Sequence, residues 1–204
     1  MLNAKNKTMT KKTLFILFLT FSVFTYSQDK SYGLLLGANF YESNNNNGEN
    51  QLIIKDNKFT TSNFGAYFEY GINENIGIKS ELTFNKKMIT YNKFDLDFEL
   101  QFIEFSPSFK YDFGTEYKKG FYMTLGPRFS FLIKTESDEN SEDTFENLNI
   151  GLQLGLGHRL TNFIDFQAKI DYGITPYFKL ENNDKSKFFG AYLTLFIDAS
   201  ELIK

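Results

Sequence analysis

His158 is the only histidine in this 204-residue chain, and there is no cysteine. A general base or metal centre built on one imidazole needs carboxylates or further imidazoles held beside it. The neighbours of His158 are Gly157 and Arg159, and neither supplies such a partner. The lack of cysteine removes thiolate metal sites, a cysteine nucleophile, a disulfide framework and a lipid anchor on an N-terminal cysteine. The densest run of carboxylates lies in Thr135–Asn147, which holds Glu136, Asp138, Glu139, Glu142, Asp143 and Glu146. Carboxylates suit Ca²⁺, but a calcium loop sets its ligands at fixed alternate positions around a glycine, and this run has no such spacing. It reads as a solvated loop, and Asn44–Asn47 reads as a loop tip. No phosphate-cradling glycine loop, catalytic triad or dinucleotide fingerprint is present. The expectation is therefore no catalytic residue, no metal and no cofactor.

What remains is a set of charges scattered through extended segments: Glu69, Lys79, Glu81, Arg128, Arg159, Asp165, Lys169 and Asp171. Both signs occur, each with at least one apolar or aromatic neighbour. Charges so placed either face water or pair with one another in a closed interior. The elements that carry them decide which.

Those elements are strands. Aromatic residues make up 18% of the chain, as 25 Phe and 12 Tyr with no Trp, and bulky flat side chains pack well on a pleated surface. Leu148–Leu160 sets Leu148, Ile150, Leu152, Leu154 and Leu156 against Asn149, Gly151, Gln153, Gly155, Gly157 and Arg159. Phe163–Ile174 alternates in the same way, joined to it by the hairpin-length link Thr161-Asn162. The period of two recurs near Ser31–Tyr41, Phe64–Gly71, Ile76–Asn85, Phe121–Lys134 and Phe188–Asp198. It recurs again over Asp97–Phe113, where the phase slips at Phe102-Ile103 in the manner of a β-bulge. That makes about eight strands in one domain.

Ahead of them, Lys5, Lys7, Lys11 and Lys12 precede the apolar run Leu14–Phe24, followed by Thr25-Tyr26-Ser27. This order is that of a secretory signal peptide, residues 1–27, with cleavage after Ser27 or one residue on. The apolar run is too short for a spanning helix, which needs roughly 20 residues. Removing its four lysines leaves 18 Lys and Arg against 25 Asp and Glu, so the mature chain (28–204) offers nucleic acid no basic footprint.

Alternation alone fits a soluble barrel, with its apolar face inward, and a membrane barrel, with that face toward lipid. Two features favour the second. The polar face is rich in glycine (Gly65, Gly77, Gly126, Gly151, Gly155, Gly157, Gly190), which weakens an exposed strand but makes room inside a narrow lumen. The same face mixes both charge signs, as a neutralised interior requires. Links also alternate in length: Ile72–Asn75, Gly114–Lys119 and Thr161-Asn162 are short, whereas those after the first, third, fifth and seventh strands are longer and polar. Short turns at one rim and long loops at the other imply an even strand count.

Read in order, Tyr32-Gly33 to Gly37-Ala38-Asn39-Phe40, Lys79-Ser80-Glu81-Leu82, Phe102-Ile103-Glu104-Phe105 leading to Lys110-Tyr111, Leu125-Gly126-Pro127, and Gly151 to Gly155-Leu156-Gly157 resemble the small outer-membrane β-barrel domain family that includes PorT-like proteins. The chain departs from that pattern at Ser106, with Pro107 one place late, and at its end, where Ala199–Lys204 follow the last strand and Phe196 is the nearest aromatic residue. The resemblance implies fold and location but no shared enzymatic activity. The expectation is an all-β, single antiparallel up-and-down transmembrane barrel in the outer membrane of a Gram-negative bacterium. Its lumen is filled by side chains, and His158 sits at the short-turn rim near lipid headgroup level. Its expected partners are outer-membrane lipids, the barrel-assembly machinery and an unidentified protein. The alternative is a secreted soluble barrel around a small apolar ligand.

Overall fold

The computed structural model describes residues 30–44, 52–54, 60–91, 96–114, 116–137, 145–179 and 185–202. The expected signal segment and most of the two polar loops, residues 45–47 and 138–144, lie outside the described residues. The strands are β1 (Lys30–Asn44), β2 (Leu52–Ile54), β3 (Thr60–Gly71), β4 (Ile76–Tyr91), β5 (Leu96–Asp112), β6 (Phe121–Ser137), β7 (Leu148–Arg159), β8 (Ile164–Gly173), β9 (Phe178–Lys179) and β10 (Lys185–Asp198). A short helix, α1 (Ala199–Leu202), follows.

Pairing is antiparallel and runs β1, β3, β4, β5, β6, β7, β8, β10, with β10 returning to β1. Eight long strands therefore close on themselves, as the alternation predicts. The remaining two are short: β2 pairs with the outer end of β4 and β9 with the start of β10. Followed from ladder to ladder, Lys30 leads through Tyr70, Ile78, Phe109, Leu125, Leu154, Ile170 and Ala191 to Phe40, ten residues further along β1. That stagger tilts the strands, and eight tilted strands enclose a space that side chains can fill.

Three tight turns share one rim. In the first, Asn73 Oδ1 accepts the backbone N–H groups of Asn75 and Ile76. In another, Thr161 Oγ1 accepts those of Phe163 and Ile164, so the link after β7 is Leu160–Phe163, two residues longer than expected. Between β5 and β6 the chain turns through Lys118 (φ 61°) and Gly120 (φ 77°), the left-handed region that glycine adopts without penalty.

Burial is inverted relative to a soluble sheet. Along β7, Leu152 and Leu154 are 46% and 40% exposed, whereas Gln153 between them is 6% exposed. At the long-loop end of β4, β5 and β6 the sides exchange character again. The outward row Phe84, Ile103 and Phe131 is apolar, and the next outward row toward the loops is Lys86, Gln101 and Lys134. On the inner side at that level Phe98, Leu100 and Phe102 are buried.

This exchange corrects two expectations. The phase of β5 does not slip: Phe98, Leu100, Phe102, Glu104 and Ser106 all face inward. The apolar-to-polar change at Phe102-Ile103 marks where the lumen turns from aromatic to charged. The register shift between Gln101–Lys134 and Phe102–Leu132 puts the extra residue, Ile133, on β6. The link after the third expected strand is largely strand, because β4 continues to Tyr91 and β5 begins at Leu96. On this hairpin Lys86 and Gln101 face outward, whereas Lys87 is buried on the inner side.

Candidate functional site: the barrel interior

The tilted strands aim alternate side chains at one another across a narrow lumen, and these form paired layers. At the short-turn rim, Arg159 Nη2 and Ser31 Oγ donate to Asp198 Oδ2 at 2.8 and 2.5 Å. The β5–β6 turn folds beneath them, with Tyr117 buried and Lys118 Nζ donating to the Lys30 carbonyl. Above, Lys110 lies between Glu69 (2.8 Å) and Asp112 (3.0 Å). Lys79 meets Asp165 at 3.2 Å, and Tyr122 donates to the other oxygen of that carboxylate at 2.8 Å. Lys169 then pairs with Glu81 at 2.5 Å. Above these is Arg128, whose Nε donates to Asp171 (2.8 Å) and Nη2 to Asn149 (2.8 Å), with Nη1 3.5 Å from Glu104, and higher still Lys87 pairs with Glu104 at 2.9 Å.

Glycines supply the room. A Cβ on Gly151 would lie 2.7 Å from both Arg128 Nη2 and Asp171 Oδ1. One on Gly157 would enter the Tyr122 ring. The large side chains of β6 thus occupy space that β7 leaves empty.

Of the charges singled out from sequence, Glu69, Lys79, Glu81, Arg128, Asp165, Lys169 and Asp171 lie buried in the lumen in contact with opposite charges. Arg159 sits lower, at the rim. The sequence reading missed Lys87, Glu104, Lys110, Asp112 and Asp198, which are equally buried. A signal for them existed. Counting by twos from Lys79 through Glu81, Thr83 and Asn85 reaches Lys87, and the same count back from Asp112 and Lys110 reaches Glu104.

Toward the long loops the interior becomes a cluster of Tyr41, Phe98, Leu100, Phe102, Phe145, Tyr177, Phe178, Phe188 and Tyr192. Phe145 and Tyr177 come from the loops beside β7 and β8: Tyr177 stacks on Phe188 at 3.7 Å, and Phe145 bridges to Phe178. Phe196 points into the lumen under Lys79, 3.5 Å from its ammonium, so the aromatic residue nearest the chain end is not on the outer surface.

His158 lies on the outer side of β7, its ring 4.2 Å from that of Phe121. It lines a hollow of about 370 Å³ with Phe113, Phe121, Tyr122, Leu156, Gly157 and Phe166, and the Tyr122 hydroxyl donates instead to Asp165 in the lumen. Among the described residues no three His, Cys, Asp or Glu side chains are grouped to hold a metal ion.

A family model, the outer membrane protein beta-barrel domain, matches residues 13–195. None of the curated proteins compared with the chain matches it. Among solved structures, outer membrane protein AlkL, studied by solid-state NMR in lipid bilayers, is 15% identical with a TM-score of 0.51, over 83% of this chain and 87% of its own. Ail, the attachment invasion locus protein of Yersinia pestis, is 12% identical with a TM-score of 0.45, over 83% and 99%. Neisserial surface protein A is 17% identical with a TM-score of 0.44 over the same shares. These likenesses concern the fold alone.

Proposed function

Because the chain belongs to the outer membrane protein beta-barrel domain family, we propose that it is a non-enzymatic barrel of the Gram-negative outer membrane, exported by its N-terminal segment. In this reading the cylinder is an anchor, and its loops or rims meet a protein partner. A PorT-like contribution to protein secretion is one form of that role. Lipids of the outer membrane and the barrel-assembly machinery are the further partners such a molecule requires.

The observation that carries this reading is the filled lumen. Paired charges occupy it from the rim to Arg128, and an aromatic cluster closed around Lys87 occupies the rest, so the strands form a solid support instead of a conduit. The soluble alternative, a barrel around a small apolar ligand, requires apolar side chains where Lys79, Arg128 and Asp171 stand.

Two measurements test the proposal. Purified protein in planar bilayers is expected to give no steady ion conductance, and a stable open channel would overturn the solid-support reading. Fractionation with a heat-mobility gel is expected to show detergent-dependent extraction and a folded band that shifts on boiling. Release by salt alone, with no shift, would overturn the membrane assignment. Cross-linking in intact cells, followed by detergent extraction, then identifies the partner.

A further inference from the structure

Lys79 is ringed by Tyr67, Tyr122 and Phe196; Lys87 is ringed likewise and differs in how its carboxylate is otherwise held. Its ammonium lies 4.3 Å from the ring centroid of Tyr41, 4.6 Å from Phe102 and 4.5 Å from Phe188, with Glu104 Oε1 at 2.9 Å. Three aromatic rings and a carboxylate around a cation form the kind of box by which proteins recognise ammonium groups. Its walls are held from behind, Phe188 by the stacked Tyr177 and Tyr41 by the edge-on ring of Tyr192.

Glu104 does not depend on Lys87. Its Oε1 also accepts from Ser130 at 2.6 Å and lies 3.5 Å from Arg128 Nη1. Its Oε2 accepts from Asn85 Nδ2 at 3.0 Å and Tyr192 OH at 3.1 Å. A carboxylate with those donors is satisfied without an ammonium. Lys79 is the contrast: without it, Asp165 keeps the Tyr122 hydroxyl as its one remaining donor among those identified above. The ammonium of Lys87 is thus the guest of a box that stands complete around it.

We propose that the long-loop end of the barrel contains an alkylammonium-binding site formed by Tyr41, Phe102, Phe188 and Glu104, with the side chain of Lys87 as its tethered occupant. A free alkylammonium takes the site when that side chain is withdrawn, its charge on the rings and Glu104 and its tail along the path of the lysine methylenes. This goes beyond the anchoring role and does not depend on it.

Lys87→Ala removes Cγ, Cδ, Cε and Nζ, which together have the shape of n-propylammonium. The purified variant in detergent is heated with n-propylammonium chloride, n-propanol or sodium chloride, and the folded fraction is read on a heat-mobility gel. A ligand that binds only the folded state raises the melting point in a saturable way. The expected result is such a rise with propylammonium, half-saturating on the order of millimolar for so small a ligand. Neither the wild type with propylammonium nor the variant with the other two additives responds. Equal rescue by propanol would reduce the site to a cavity, and an equal rise in the wild type, or none in the variant, would also overturn the proposal. Should Lys87→Ala fail to fold unaided, the same additives are supplied during refolding from urea. Recovery of the folded band with propylammonium alone supports the site, and any other pattern counts against it.

Discussion

Arg128 and Asp171 provide the sharpest test of how the interior is held together. Both side chains are fully buried and joined through Arg128 Nε at 2.8 Å. Removing one member of a buried pair strands the other charge, at about 3–5 kcal/mol. Arg128→Met leaves Asp171 without its cation, while Glu104 retains Lys87 at 2.9 Å, so the damage falls mainly on one carboxylate. Asp171→Leu leaves the guanidinium with Glu104 and Asn149, which puts its cost near the lower end of that range. In Arg128→Met/Asp171→Leu no charge of the pair remains, and the double variant is expected to be more stable than the sum of the singles by roughly 2 kcal/mol or more. Urea unfolding in lipid vesicles measures this. With a slope of about 2 kcal/mol per molar urea, Arg128→Met moves the midpoint by roughly 2 M, and the second substitution recovers a good part of it. Additive losses, or an Arg128→Met shift under about 0.5 M, would refute the view that these charges stabilise one another across a water-poor lumen.

Two further outcomes follow from which way side chains point. Leu154→Arg puts a charge into lipid at about 2–4 kcal/mol near the midplane, whereas Gln153→Arg faces Asp171 across the ladder. Insertion into vesicles is expected to fail far more often for the first, and equal failure would mean the faces are exchanged. Gly157→Val drives two methyl groups into the Tyr122 ring and is expected to lower stability by about 3 kcal/mol or more, the upper end for overpacking. Gly157→Val/Tyr122→Ala regains part of that loss, and a single variant as stable as the wild type would show that the ring has room to move.

Legibility in the sequence depended on what each strand carried. β7 and β8 were plain because leucine and isoleucine alternate with glycine, glutamine and charge along nearly their whole length, and both sides of the sheet keep one character. Upper β5 misled because its inner side changes from Glu104 to Phe102, Leu100 and Phe98, which mimics a slip of phase when only hydropathy is read. Hydropathy alone reads the end of β4 as loop because Lys86 and Lys87 are adjacent, although one faces outward and the other is caged in rings. Pairing partners such as Arg128 with Asp171, 43 residues apart, depend on register and stagger, which no local pattern encodes. His158 was legible as a rim residue, since a lone imidazole beside a tight turn has nothing to act with.

The change of character between the rows Phe84, Ile103, Phe131 and Lys86, Gln101, Lys134 has a mechanical consequence. Sinking the barrel by two residues, roughly 7 Å along a strand, would drag two lysines and an amide into hydrocarbon. Raising it by as much would strip the three apolar side chains of lipid. Either displacement is resisted, so these six residues work as a waterline. They fix how far the barrel rides in the bilayer and hold the β4–β5 hairpin at a constant height above it.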